Sequence, residues 1–199
     1  LHDALPICFT LTSGGTLDAS VAGFSKDVNG LLKIYGNAGN ETITIDSAKF
    51  TNAGDLISDS SGTDTLVVTG SSAIDFTKIS GMEVIDLTNY NGTTLTTNNT
   101  TGETIKIDSA YTSINAGGGT DQLYISANSV DLSGATLSNI ESYYVASGAT
   151  LIIKASDVSG KVVTGGGNLV VLHSADSSYD LSGIATTGTK ILEFSATST

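Results

Sequence analysis

Short apolar runs broken by polar positions recur along the chain and predict β-strands. In residues 41–46, isoleucine alternates with threonine, as expected of a strand that buries one face. Turns rich in Gly, Asn or Ser close this and the other short runs. The predicted strands are residues 31–35, 41–46, 65–68, 83–87, 103–108, 122–126, 142–145, 169–172 and 190–194.

These strands belong to a repeat. Residues 60–88 contain a Gly-rich turn, a short strand, an Asp followed by an apolar residue, and a second strand with a Glu at its start. The same order returns in residues 117–146 and, more loosely, from Gly165 onward. Between Leu66 and Tyr143 the strands start roughly 18–20 residues apart, which is typical of the coils of a β-solenoid.

The repeat predicts an all-β fold, a right-handed parallel β-helix (β-solenoid) with coils of roughly 18–23 residues. One such coil cannot bury its own apolar face, whereas stacked coils form a continuous core and pair their backbones. We therefore expect Leu66, Ile85, Ile105 and Leu123 to lie in one column. The alternative is a β-sandwich, which has similar strands and turns but does not require a repeat.

The two ends of the pattern are less regular. After Val145 the spacing loosens, so residues 151–153 and 162–163 are expected to form an irregular coil or a bulging loop. Residues 1–8 hold the only Pro and the only Cys, and we interpret them as a non-native or unstructured leader. Residues 9–199 are predicted to be a single solenoid domain, a fragment of a longer chain.

Charge excludes several partners. The formal net charge is -12, from 20 acidic residues against 8 basic ones that are all lysine. Nucleic-acid binding relies on clustered Lys and Arg, and no run is long enough to span a membrane, so neither nucleic acid nor membrane insertion is expected. An acidic surface instead suits hard cations such as calcium, which take oxygen ligands.

Two Asp-containing turns are the candidate metal sites. The sequences Gly62-Thr63-Asp64-Thr65-Leu66 and Gly117-Gly118-Gly119-Thr120-Asp121-Gln122-Leu123 resemble degenerate forms of the calcium-binding nonapeptide of RTX proteins. The resemblance implies calcium as a cofactor, with Asp64 and Asp121 as ligands. The alternative is that each Asp only caps the backbone of its own turn.

Other acidic residues recur at matching places in the repeat. Asp75, Asp131 and Asp180 each precede an apolar residue, and Glu83, Glu141 and Glu193 form a similar series. We expect these side chains to accept backbone N–H groups at the corners of the coils rather than to form a row of ligands.

Enzymatic function is not expected. His173 stands alone after an apolar strand, and no nucleophile elbow, paired-histidine motif or phosphate loop is present. One catalytic alternative remains, a carbohydrate-binding or carbohydrate-cleaving β-helix. It predicts a groove in which carboxylates and aromatic side chains converge, for instance around Tyr143 and Tyr144.

The repeat units also resemble those of a known class. Gly-Thr-Asp-Thr-Leu-Val-Val-Thr-Gly at residues 62–70 and Val-Asp-Leu-Ser-Gly-Ala-Thr-Leu-Ser-Asn-Ile-Glu at residues 130–141 are similar to repeats of RTX-type S-layer proteins and giant adhesins exported by type I secretion. The resemblance implies a structural or adhesive module outside the cell, at the bacterial surface. Its partners would be neighbouring repeats of the same chain, further copies in self-assembly, or surface carbohydrate.

Overall fold

The chain folds as a parallel β-solenoid of stacked coils. The computed structural model describes residues 8–11, 14–20, 30–97, 99–174 and 177–195. Every strand pair in this part is parallel, which excludes the β-sandwich alternative. The strands are β1 (Cys8–Thr10), β2 (Thr16–Asp18), β3 (Lys33–Tyr35), β4 (Thr42–Asp46), β5 (Leu56–Ser58), β6 (Thr65–Gly70), β7 (Ile79–Ser80), β8 (Val84–Tyr90), β9 (Thr94–Thr96), β10 (Thr104–Ile107), β11 (Ser113–Asn115), β12 (Gln122–Ile125), β13 (Ser129–Asp131), β14 (Thr136–Ser138), β15 (Ser142–Val145), β16 (Thr150–Lys154), β17 (Val162–Gly165), β18 (Asn168–Ser174) and β19 (Lys190–Ser195).

One sheet runs the length of the solenoid. It has eight strands in the order β17-β15-β12-β10-β8-β6-β4-β2, one from each coil. We call it the main sheet. Three shorter sheets form the other faces, in the orders β1-β3-β5-β7, β14-β11-β9 and β13-β16-β18-β19. Aligned residues in adjacent main-sheet strands lie between 18 residues apart, as for Ile105 and Leu123, and 26 residues apart, as for Leu17 and Ile43.

The predicted apolar column is confirmed. Leu66 pairs with Ile85, Ile85 with Ile105, and Ile105 with Leu123. The stack continues through Ile43 on one side and through Tyr143 and Val163 on the other. All seven side chains are buried. Parallel pairing puts like positions on top of one another, so one buried position per coil gives an unbroken core.

After Val145 the predicted strands 169–172 and 190–194 are confirmed as parts of β18 and β19, but the predicted irregular coil or bulging loop is wrong. Residues 162–163 lie in β17, the last strand of the main sheet, and residues 151–153 lie in β16 of a second sheet. The repeat predicts that residues 169–172 lie on the same face of the coil as Leu66. They pair with β16 in a second sheet instead. The error arises because Gly-rich turns and short apolar strands look alike whichever face of the coil they belong to.

Several local features differ from the predicted pattern. Two 3-10 turns, at Ser47–Lys49 and Phe76–Lys78, and a short helix α1 (Ala155–Val158) occupy corners of the coil. Residues 1–7 of the predicted leader lie outside the described residues, and Cys8 begins β1.

Candidate functional site

Carboxylates form a column beside the apolar core. Each of six main-sheet strands is preceded directly by Asp or Glu, and the register of the strands places these residues above one another. The last main-sheet strand along the chain, β17, is preceded by Lys161 instead. The column consists of Glu41, Asp64, Glu83, Glu103, Asp121 and Glu141.

Hydrogen bonds join the column from coil to coil. The Asp64 Oδ1 atom accepts the main-chain N–H of Glu41 at 2.7 Å, and the Asp64 N–H in turn donates to Glu83 Oε2 at 2.7 Å. The same pattern returns three coils later, where Asp121 Oδ1 accepts the Glu103 N–H and Glu141 Oε2 accepts the Asp121 N–H. Four of the six carboxylates, those of Asp64, Glu83, Asp121 and Glu141, thus satisfy a main-chain donor at the start of a neighbouring strand, which would otherwise be costly to bury.

The alternative that Asp64 only caps the backbone of its own turn is wrong, because its Oδ1 atom accepts the N–H of Glu41 from the adjacent coil. The residue is fully buried, and its second oxygen, Oδ2, has no hydrogen-bond partner among the described residues. Burial, more than the neighbouring carboxylates, raises the pKa of Asp64 to about 6.

Asp64 lies in a cluster of three carboxylates with Glu41 and Asp59. One oxygen from each lies within 4.8 Å of the others. Glu41 is 1% exposed, and Asp59 is half-buried. Glu41 Oε1, Asp59 Oδ2 and Asp64 Oδ2 accept no hydrogen bond from a donor among the described residues. The cluster sits between the turn that joins β3 to β4 and the turn that joins β5 to β6.

Glycines make the space for this cluster. A Cβ atom on Gly36 would overlap the Asp59 carboxylate, and one on Gly39 would stand 2.8 Å from Glu41 Oε1. Gly62 has a φ of 142° and lies against both Asp64 Oδ2 and the carbonyl oxygen of Gly39. Calcium binds oxygen ligands, six to eight in number, and these three carboxylates in a glycine-lined space would supply three of them.

Asp121 has a different environment. Its Oδ2 atom and both Glu103 oxygens lack hydrogen-bond partners among the described residues, but no third carboxylate joins this pair within metal-ligand distance there. Glu103 is 2% exposed, and burial raises its pKa to about 8, with the Asp121 charge adding to the shift. Burial raises the pKa of Asp121 as well. The fit to calcium is therefore weaker here than at Asp64.

The corner aspartates behave as expected. Asp75 Oδ1 accepts the Thr77 N–H, while Asp131 Oδ1 accepts the Ser133 N–H. The third member, Asp180, accepts the Ser182 N–H in the same way. Hydrogen bonds from the Thr77 and Ser182 hydroxyl groups, with a smaller part from these N–H groups, lower the pKa of Asp75 and Asp180, because they favour the ionised form. These carboxylates stabilise turns.

The predicted series of Glu83, Glu141 and Glu193 does not occupy one equivalent place in the coils. Glu83 and Glu141 both belong to the carboxylate column, and each accepts a main-chain N–H from the coil before it. Glu193 lies on β19 in another sheet, so it is not equivalent to them.

The predicted tyrosines point in different directions. Tyr143 is buried in the core, and its hydroxyl donates to the Asp157 carbonyl oxygen at 3.0 Å. Tyr144 lies on the outer face of the main sheet, where its ring stacks on that of Tyr124 at 4.8 Å between centroids. Beside this stack is a groove of about 480 Å³, lined by Asp86, Thr88, Asn89, Lys106, Asp108, Tyr124, Ser126 and Ala127.

Sequence reasoning missed Asp59 and did not connect Glu41 with Asp64. The available signal was the recurrence of an acid, one intervening residue and then an apolar residue, as in Glu41-Thr42-Ile43 and Asp64-Thr65-Leu66. This pattern marks the carboxylate column. Nothing comparable marks Asp59, because its place depends on how two turns stack.

The chain matches no protein-family model, no curated protein and no solved structure. The fold itself defines the class, a parallel β-solenoid with an internal carboxylate column. Within the part of the chain that the structure describes, no helix has the length and apolar character needed to cross a membrane.

Proposed function

We propose that this chain is a structural and adhesive module, a stiff rod within a secreted bacterial surface protein of the S-layer or adhesin type. The proposed role is non-enzymatic and extracellular. The observation that carries it is the main sheet, in which eight parallel strands follow one another without interruption. At about 4.8 Å per strand, this sheet gives the rod a length of about 35 Å.

Two further features support a spacing role. The apolar column ties each coil to its neighbours, and the carboxylate column adds hydrogen bonds within two groups of three coils, so bending the rod would break contacts along its length. The net charge of -12 favours a well-solvated surface. Repeats of RTX-type S-layer proteins and adhesins, which the sequence resembles, would use such a segment to space or assemble larger parts.

The proposed partners are neighbouring repeats or further copies of the chain. Ile191 and Leu192 on β19 are 44% and 46% exposed, and they line an apolar groove together with Leu181 and Ile184. A further coil stacked on this end would cover them, as each interior coil of the solenoid is covered by the next.

The test of the proposed function uses the parent protein in the cells that make it. An antibody raised against residues 30–195 should label intact cells as strongly as lysed ones. Beads coated with the chain should also bind to such cells or to one another. Labelling that requires lysis, with the protein in the soluble internal fraction, would contradict the proposal.

A second candidate function, carbohydrate binding, is favoured by the groove on the outer face of the main sheet. Asp86, Asp108 and Ser126 provide acceptors and donors there, and Lys106 lies 5.9 Å from the centre of the Tyr124 ring. Pockets for sugars combine such polar groups with aromatic surface. The two rings stack on each other, so Tyr124 and Tyr144 offer a sugar their edges and hydroxyl groups more than a free ring face.

Screening against immobilised glycans, followed by calorimetry on any hit, tests this candidate. Lys106→Ala and Tyr124→Ala should abolish binding, whereas Tyr35→Ala, on a strand of another sheet, should leave it unchanged. Absence of any glycan hit, or a hit that both groove variants retain, would remove carbohydrate binding without affecting the structural proposal.

A further inference from the structure

The turns between the first short sheet and the main sheet bring three carboxylates together. Glu41 comes from the turn between β3 and β4, while Asp59 and Asp64 begin and end the turn between β5 and β6. The two turns belong to consecutive coils. Anything bound by all three side chains would therefore join one coil to the next.

Among the described residues, no lysine or histidine forms an ion pair with Glu41, Asp59 or Asp64. Lys78 pairs with Asp75, on another corner of the coil. Glu41 and Asp64 are 1% and 0% exposed, and each has an oxygen without a hydrogen-bond partner facing this cluster. Buried anionic oxygens are costly without a compensating charge, so the arrangement calls for a ligand of positive charge.

Other oxygens of the same three residues are already used. Asp64 Oδ1 accepts the Glu41 N–H at 2.7 Å, and Asp59 Oδ1 accepts the N–H groups of Ser60 and Ser61. Glu41 Oε2 accepts the Asn37 N–H at 3.4 Å. These bonds hold the three carboxylates in place and leave one oxygen of each without a donor among the described residues. The site is thus oriented by the backbone before any ligand enters.

The size of the cluster selects the ligand. Its oxygens lie within 4.8 Å of one another, about twice the 2.3–2.6 Å calcium–oxygen distance, so one central ion can reach all three. A Cβ atom on Gly62 would stand 1.8 Å from the Gly39 carbonyl oxygen and 3.0 Å from Asp64 Oδ2, so both oxygens border the same glycine-made space. Flexible glycine turns and mixed carboxylate and carbonyl oxygens suit calcium better than magnesium, which demands a tighter octahedron and retains its water.

We propose that Glu41, Asp59 and Asp64 bind one calcium ion, which fastens two consecutive coils of the solenoid together. Two of the three ligands, Glu41 and Asp59, lie outside the turn motif of residues 62–66 that contains Asp64. Asp121 is not part of the site. It is independent of the proposed surface function, because a rod could be stiff with or without the ion.

The experiment measures calcium binding by calorimetry and thermal unfolding of the whole chain after treatment with a chelator. Calcium chloride should release or absorb heat with a stoichiometry of one and raise the Tm. Magnesium chloride at the same ionic strength should give a much smaller Tm shift. Equal shifts with both salts would indicate charge screening and would overturn the proposal, as would no heat and no shift.

Two variants identify the ligands. Asp59→Asn keeps an oxygen for the Ser60 and Ser61 N–H groups but removes the charge, and it should weaken calcium binding about tenfold or more. Asp59 is only half-buried, so this variant should fold even if Glu41→Gln does not. The control is Asp131→Asn, the same change at an exposed turn, which should bind calcium as the unmodified chain does.

Asp121→Asn distinguishes the two candidate aspartates. On this proposal it retains the calcium-dependent rise in Tm. If Asp121→Asn loses that rise while Asp59→Asn keeps it, the ion binds at the other turn and the proposal is wrong. Either result leaves the proposed surface role open to its own labelling test.

Discussion

The Asp121 carboxylate accepts the main-chain N–H of Glu103 at 2.7 Å, although the two residues are 18 positions apart in the chain. Asp64 and Glu41 stand in the same relationship, 23 positions apart. In both cases the side chain that begins one main-sheet strand binds the backbone where the strand of the adjacent coil begins. The acidic residues of the repeat are therefore part of what holds the coils in register.

Replacing Asp121 tests this role. Asp121→Ala leaves the buried Glu103 N–H without an acceptor, whereas Asp121→Asn keeps an oxygen at the same place. We expect the Ala variant to be less stable than the Asn variant by about 1–3 kcal/mol, the usual cost of an unpaired buried donor. Urea unfolding at pH 7 measures the difference between the two free energies of unfolding.

Both variants lose the Asp121 charge, so the difference between their free energies of unfolding reports the loss of the acceptor oxygen. Equal stability of the Ala and Asn variants would mean that the Glu103 N–H finds another acceptor. The carboxylate column would then contribute little to the register of the coils.

Glu103 makes stability depend on pH. Burial raises its pKa from 4.5 to about 8, and the charged groups that face it, Asp121 and Glu83, are also acidic. Between these two pH values the folded state holds a proton that the unfolded state has lost. The free energy of unfolding therefore falls as pH rises through this window, with a slope of up to about 1.4 kcal/mol per pH unit for one proton.

Glu103→Gln removes the fall in the free energy of unfolding that is linked to this proton. In chelator-containing buffer, we expect the variant to have a higher Tm than the unmodified chain at pH 8 and a similar Tm near pH 4. Asp64, with its pKa raised to about 6, leaves a smaller pH dependence in both proteins. Parallel Tm profiles from pH 4 to 9 would show that folding does not raise the pKa of Glu103.

The apolar pattern was sufficient to predict the fold and its main column. Leu66, Ile85, Ile105 and Leu123 recur because each coil has to cover the one beside it, and this demand is local enough to appear in the sequence. The face on which a strand lies was harder to predict. Leu169 follows a Gly-rich turn as Leu66 does, yet it pairs with Leu151 in a different sheet.

The candidate site could be predicted only in part. Asp64 was found because it lies in a recognisable turn. Asp59 lies at the other end of that turn, and it reaches Glu41 only because Gly36 in the preceding coil has no side chain. Contacts between stacked turns depend on register, and register is not visible in either turn alone.

Glycine at position 165 is expected to be essential for the stack. Its φ is 110°, and a Cβ there would overlap the carbonyl oxygen of Val145 in the neighbouring strand. Gly165→Ala should lower the free energy of unfolding by about 1–3 kcal/mol or more. The matched control is Gly134→Ala, where a Cβ meets nothing within 4 Å and φ is not positive, so thermal unfolding should be nearly unchanged.

Truncation of the apolar column should cost the most. Ile105 is 0% exposed and lies between Ile85 and Leu123, so Ile105→Ala opens a cavity that adjacent coils cannot fill. We expect a loss of about 2–5 kcal/mol in the free energy of unfolding, measured by urea denaturation. The exposed Ser129→Ala should change it by less than about 0.5 kcal/mol. An Ile105 variant as stable as the Ser129 variant would mean that the coils are not held together by this column.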